Sequence, residues 1–176
     1  MSAVASRLIY RPPQACDVQR LFAIYGDPQT NVFNPSGPIA SLEGAQRLLD
    51  KWLEQWATQG YGWWAIARTE TPHHIIGFGG IAPLDYLAER RINLGYRFAA
   101  QAWGQGYATE LGRDALALAF QTLGLREVFG LVRPDHGASI RVLEKIGMQP
   151  FGVLDDVPGK APSLVFRICH PTTDFS

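Results

Sequence analysis

The sequence predicts a mixed α/β (α+β) domain: a mostly antiparallel sheet of six to seven strands with helices on both faces. Three observations carry this. Strand-like and helix-like runs follow one another in the order β α α β β β α β α β β. The strand–helix–strand units fall in the second half, after an antiparallel meander. The 176 residues are 47% hydrophobic and 18% charged, as expected of one globular domain, taken here as residues 1–176.

The elements follow in order. Leu8, Ile9 and Tyr10 read as a short strand stopped by Pro12 and Pro13. Asp17 is placed to cap a helix whose apolar face is Val18, Leu21, Phe22 and Tyr25. Residues 26–40, rich in Gly, Pro, Asn and Ser, read as a loop. Ser41 caps a second helix with a Trp/Leu stripe running to Trp56, and Gly60 ends it. That stripe is expected to pack in the core.

Residues 63–67 and 75–81 read as strands joined through a loop at 68–74 that holds His73 and His74 in solvent. Trp63 and Trp64 alternate across the first, so one is expected inward and the other on a face or cleft. Gly77, Gly79 and Gly80 in the second suggest a bulge or a close backbone approach. Residues 83–90 read as a polar connection and 91–98 as a strand. A helix over 107–123 ends at Gly124, and residues 127–132 form a strand. A helix starting at Pro134 and Asp135 closes at Gly147, and strands follow at 151–154 and 163–169.

Composition excludes several functions. With 16 basic and 16 acidic residues the net charge is zero. The basic excess of an electrostatic nucleic-acid binder is missing, so no nucleic-acid partner is expected. No apolar run approaches about 18 residues, so no membrane partner is expected. The first thirteen residues lack a signal-peptide core, which makes the cytoplasm the expected compartment. Cys16 and Cys169 form no CxxC pair and are expected to be buried apolar residues. No HExxH or His-x-His pair is present, so no metal is expected.

The informative segment is RINLGYRFAAQAWGQGYATE, residues 91–110. A strand ends, a glycine turn follows and a helix opens at once. Gly104, Gly106 and Ala108 let a ligand approach the backbone, and the first-turn amides suit an anion such as a pyrophosphate. A dinucleotide fingerprint, as in an oxidoreductase, wants a third glycine where Thr109 stands. A Walker loop wants GxxxxGK, which is absent.

The stretch resembles motif A of the GNAT superfamily of acyl-CoA-dependent N-acetyltransferases, Arg/Gln-x-x-Gly-x-Gly/Ala, with Trp103-x-x-Gly106-x-Ala108 in its place. WGQGYATE is similar to the branch that acetylates ribosomal-protein N-termini. DHGASIRVLEKIGMQPFG (135–152) resembles that branch's Asn-x-x-Ser-x-x-x-Leu-Glu-Lys-x-Gly-Phe pattern. RLIYRPP, DVQRLFAIYGDP, GYGWWAIA and IIGFGGI match its opening blocks in order, so the resemblance covers nearly the full length.

The resemblance implies strands four and five splayed near Gly95 and an acetyl-CoA cosubstrate. Backbone amides of Tyr96, Arg97 and Phe98 would meet the pantetheine arm. Trp103, Gly104, Gln105, Gly106, Tyr107, Ala108 and Thr109 would surround the pyrophosphate, with His136, Ser139 and Lys145 completing the cofactor set. The branch's Asn is His136 here. The superfamily's tyrosine acid falls at Leu143, which leaves Ser139, one turn earlier, as the candidate acid. The strand-four acidic position falls near Asn93, an amide that takes no proton. Glu89 and Asp85, just before the strand, are candidates to activate a water, and Asp155 and Asp156 to attract a cationic amine.

The expected activity is acetyl transfer to a primary amine, a protein N-terminus or a small amine, by a possible homodimer. Leu143 and Asn93 keep open the alternative of a non-catalytic acyl-CoA-binding or sensing module on the same fold.

Overall fold

The computed structural model describes residues 6–171. Seven strands form one sheet: β1 (Leu8–Arg11), β2 (Trp63–Arg68), β3 (Thr71–Tyr86), β4 (Glu89–Phe98), β5 (Glu127–Val132), β6 (Gln149–Leu154) and β7 (Ser163–Cys169). Their order is β1-β2-β3-β4-β5-β7-β6. The sheet is mostly antiparallel, with β4 and β5 parallel. Their ladder has Asn93 opposite Phe129 and Leu94 opposite Gly130, although β4 runs on to Phe98 and β5 to Val132. This short pairing is the splay that the resemblance implies. Four α-helices accompany the sheet: α1 (Val18–Tyr25), α2 (Leu42–Gln59), α3 (Tyr107–Ala117) and α4 (Gly137–Lys145).

The chain divides into two compact units. The first holds residues up to Gly79 together with Tyr96–Tyr107, the second Gly80–Gly95 and the residues from Ala108 onward. The long strands β3 and β4 run through both.

In the first unit, α1 and α2 bury Leu21, Ile24, Ala45, Leu49 and Trp52 against Ala65, Ala67 and Phe78. Ser41 caps α2 by accepting from the Gly44 N–H at 3.1 Å, and Gly60 leaves the helix at φ +73. Both tryptophans of β2 pack within the unit. Trp63 stacks on Trp52 at 5.5 Å, and buried Trp64 meets Tyr10 at 4.7 Å. Trp64 is thus the inward one and Trp63 is left half-buried, with different partners as strand alternation expects. Gly77 is a close approach: an added Cβ would lie 2.6 Å from Cδ1 of Phe98 and 2.9 Å from the Arg97 carbonyl oxygen.

In the second unit, β7 pairs with β5 from Glu127 opposite Cys169 to Val132 opposite Leu164, and β6 is an exposed edge. Gly112 lets α3 meet Ile146, where an added Cβ would stand 2.9 Å from Cδ1. Leu143 and Met148 fill the space beside Gly130.

Several expectations are corrected. β3 extends over 71–86, so His73 and His74 lie exposed on a strand rather than in a loop. The connection expected at 83–90 shrinks to Leu87 and Ala88, at φ 51° and 58°. The sequence offers no Asn-Gly or Asp-Gly there to signal a hairpin. Asp17 holds the N-cap position of α1 without capping it. Its buried carboxylate instead accepts from both Arg11 guanidinium nitrogens, at 2.8 and 2.7 Å, and from the Gln14 N–H at 2.7 Å. Hydrogen bonding to Asp17 raises the Arg11 pKa, against the opposing effect of burial. The helix after β4 ends its α-portion at Ala117 and finishes in a π-turn over Leu118–Thr122, with Gly124 at φ +63. Residues 134–136 precede α4, and β6 starts two residues early, at Gln149. Cys16 and Cys169 are both exposed rather than buried.

A Gly77→Ala change should be costly, because a methyl here must displace the β4 backbone as well as a ring. Overpacking of this kind costs about 1–3 kcal/mol. Urea denaturation should show the midpoint falling by that equivalent; an unchanged midpoint would mean the strands part freely at this point.

Candidate active site

The candidate cofactor residues of the first unit stand along the end of β4 and the turn after it. Gly77 admits the buried Phe98 ring, and the Ala99 N–H donates to the Ile76 carbonyl at 2.8 Å. A single 3-10 turn, Ala100–Ala102, reverses the chain. The Trp103 indole N–H then donates back to the Phe98 carbonyl at 3.1 Å, tying the turn to the strand it leaves. Gly104 and Gly106 sit at φ +74 and +79, where glycine is the residue without a steric cost. Space above Gly104 is open: an added Cβ would meet nothing within 4 Å. α3 begins at Tyr107, so the amides of Tyr107, Ala108 and Thr109 are first-turn donors that no helical carbonyl takes. The helix dipole adds partial positive charge at the same end.

Sequence reading missed Arg7. Its guanidinium donates to the Gln105 carbonyl at 2.8 Å and lies 4.9 Å over the Tyr107 ring. It also stands 3.5 Å from where a Cβ on Gly106 would be. Tyr107 is further packed by Phe98, at 6.4 Å between rings. The turn is thus held from β4 by Trp103 and from the start of β1 by Arg7. No local signal marks Arg7, since its partner lies 98 residues away.

Arg97 belongs to the same stretch of β4, but its side chain takes the opposite direction from its neighbours Tyr96 and Phe98. It donates to the Asn31 side-chain oxygen at 2.6 Å and lies 4.5 Å over the Tyr25 ring. Asn31 is itself buried and donates to the carbonyls of Tyr25 and Asp27, at 2.9 and 2.8 Å. Burial lowers the Arg97 pKa from its ordinary value, an effect that Tyr25 partly opposes. Burial also raises the Tyr25 phenol.

The remaining candidates stand in the second unit. His136 is the N-cap of α4, its carbonyl accepting from the Ile140 N–H at 3.1 Å. Burial lowers its pKa, with Asp135 opposing, which favours neutral imidazole at neutral pH. Ser139 is half-buried in the first turn of the helix rather than at its cap. Leu143, one turn further, is in the core. Lys145 is exposed in the last turn, about 120° around the helix from Ser139, so the two do not share a face.

Asn93 is engaged on both sides of its amide. It accepts from the Tyr86 hydroxyl at 3.2 Å and donates to the Leu94 carbonyl at 3.1 Å. Burial pushes the Tyr86 phenol up to about 12. The carboxylates have cationic neighbours: Glu89 pairs with Arg91 at 3.1 Å, Asp85 with Arg90 at 3.9 Å and Asp156 with Arg133 at 3.7 Å. Among the described residues no cluster of three or more His, Cys, Asp or Glu is arranged to hold a metal. Nor is any helix among them long and apolar enough to cross a membrane.

Comparisons with known proteins bear on the fold and the family. The chain is 29% identical over 150 residues to the uncharacterized N-acetyltransferase YoaA of Bacillus subtilis (strain 168), covering 84% of this chain and 82% of that one. Its fold matches spermidine N-acetyltransferase from Vibrio cholerae, solved with CoA and spermine, with a TM-score of 0.75 over 93% of this chain and 96% of that one, at 16% identity. It also matches the ribosomal-protein-S5-alanine acetyltransferase from Vibrio fischeri, with a TM-score of 0.76 over 98% of both chains at 15% identity. Residues 7–149 match the acetyltransferase (GNAT) domain, and the chain belongs to that family.

Proposed function

We propose that the protein is an acetyl-CoA-dependent N-acetyltransferase, acting as a single domain over residues 1–176. The observation that carries this reading is the turn at 103–106, with two positive-φ glycines, open space above Gly104 and the start of α3 directly behind. A pyrophosphate fits such a cradle through backbone N–H groups alone. Amides of Tyr96, Arg97 and Phe98 hold the pantetheine arm, and one of them polarises the thioester carbonyl. Gln105, Gly106, Tyr107, Ala108 and Thr109 hold the phosphates, with Trp103 beside them. His136 stands where the branch has Asn and, neutral, still offers one donor and one acceptor. Lys145 lies at the far end of α4 for the cofactor's outer phosphates.

Acetyl-CoA supplies the activated acyl group: the amine nitrogen bonds to the thioester carbon, the C–S bond breaks, the amine loses a proton and the CoA thiolate gains one. Ser139 is the residue of this chain that donates toward the sulfur, because Leu143 has no proton to give and is buried. Glu89 or Asp85 takes the amine's proton through water, with Asn93 behind them on β4. The acceptor is a primary amine, at a protein N-terminus or on a small molecule. The likeness of WGQGYATE and of residues 135–152 to the ribosomal-protein branch supports the first. Leu143 in the core also favours the second reading, a module that binds acyl-CoA without turnover. Release of free thiol with any amine, well above the background rate, rejects that second reading.

Two variants test the site. Gly106→Asp should abolish acetyl-CoA binding, whereas Gly106→Asn, of the same shape and also tolerant of positive φ, should retain much of it. Calorimetry on folded samples checks this, and equal affinities for the pair would remove the phosphates from the turn. For Ser139→Ala, kcat should drop about tenfold to a hundredfold with KM little changed, the low end for an acid–base group. A kcat within about twofold of wild type, by that same measure, would make Ser139 structural; thermal melting alongside separates a loss of fold.

A further inference from the structure

Arg97 is a half-buried cation. Among the described residues no carboxylate pairs with it. Its partners are one neutral oxygen, Oδ1 of Asn31 at 2.6 Å, and the face of Tyr25 at 4.5 Å. A guanidinium has five N–H donors in a planar fork and stays charged at any physiological pH. Nη1 is used by Asn31, and among the described residues Nε and Nη2 have no hydrogen-bond acceptor. Taking such a charge from water is costly unless it is paired. Arg91 shows how this protein pairs a buried arginine when the role is structural. It has Glu89 at 3.1 Å and lies over three aromatic rings, Tyr86, Phe129 and Phe151.

Arg97 is also well positioned. The strand alternation that buries Phe98 turns Arg97 toward α1 and the 3-10 helix Pro28–Asn31. Asn31 is fixed by two backbone carbonyls and Tyr25 by the core, so the fork is held rather than free to swing. A fork with an unused edge, pre-aimed and partly stripped of water, matches a carboxylate bidentately. It disfavours a polycation by like-charge repulsion.

We propose that Arg97 recognises the acceptor, and that the acceptor is a primary amine which also carries a carboxylate, rather than a polyamine. This rests on the acetyltransferase reading. There, the backbone of Arg97 borders the acyl arm while its side chain binds the second substrate.

The test uses the full chain and needs no turnover. The N-acetyl derivatives of the twenty amino acids, as the free acids and as the matched carboxamides, are titrated into wild type, Arg97→Gln and Arg97→Lys, each with and without CoA. Binding is read by calorimetry and by the Nε–H resonance of Arg97. The expected result is at least tenfold tighter binding of one or more acids than of the matched amides, with N-acetylspermidine not bound. Arg97→Gln should bring that acid-to-amide ratio close to one, and Arg97→Lys should leave an intermediate ratio, since it keeps the charge and loses the fork. A purely structural arginine would alter melting without moving the ratio. A wild-type ratio near one, a ratio that survives Arg97→Gln, or preference for N-acetylspermidine overturns the proposal. Failure of CoA itself to bind wild type strikes the acetyltransferase reading instead, and the titrations without CoA still decide whether Arg97 selects a carboxylate.

Discussion

The approach of β3 to β4 at Gly77 is the constraint on which the candidate site depends. There the Phe98 ring and the Arg97 carbonyl fill the space that any side chain would need. A glycine at this one point lets Phe98 reach the core, and strand alternation then forces Arg97 the other way. Phe98 in place gives Trp103 a carbonyl to bond, and Ala99 is drawn to Ile76. The turn that follows is therefore set by one indole-to-carbonyl bond and one backbone bond. Its two left-handed glycines complete the reversal into α3. Preorganisation of this kind keeps the ordering cost out of the binding step.

Net charge is zero, so the character of the site is set by local placement of charge rather than by the field of the whole protein. Three arginines illustrate the range. Arg11 is neutralised by a bidentate contact with Asp17, a pair that fixes the chain entering α1. Arg91 sits among rings with Glu89 as counter-ion. Arg7, exposed, spends a donor on the backbone carbonyl of Gln105 and so stiffens the glycine turn. In each the cation's partner explains its position, which is what isolates Arg97 as a different case.

Much of this architecture was legible from local signals. Ser41, Gly60, Gly124 and Gly147 mark helix ends because capping and positive φ are demands on a single residue. The turn in WGQGYA was readable for the same reason: Gly104 and Gly106 take the positive φ that a tight reversal into a helix needs. What escaped was long-range or lacked its usual marker. The Leu87–Ala88 turn carries neither Gly nor Asn, so β3 and β4 looked shorter than they are. Asp17 had a local role available in capping and a stronger one with Arg11, which alternation and spacing do not reveal. Asn31, inside a segment that reads only as loop, owes its burial to the Tyr25 and Asp27 carbonyls and reaches Arg97 across 66 residues.

The same distinction explains how a fold can persist at 15% identity to a solved acetyltransferase. On the proposed reading, a cofactor gripped by backbone amides and a helix N-terminus would ask the sequence for a few glycines and a start signal, and for little else. Side chains next to that grip are then free to change without loss of the fold or of the cradle. On β4 the two demands fall on consecutive residues. Phe98 answers to packing, since Gly77 leaves room for one ring and no more. Arg97 answers to no packing demand that sets its charge: half-buried, it meets among the described residues one neutral oxygen and the face of a ring. A costly charge beside a backbone-built cradle is where selection on the second substrate would be written.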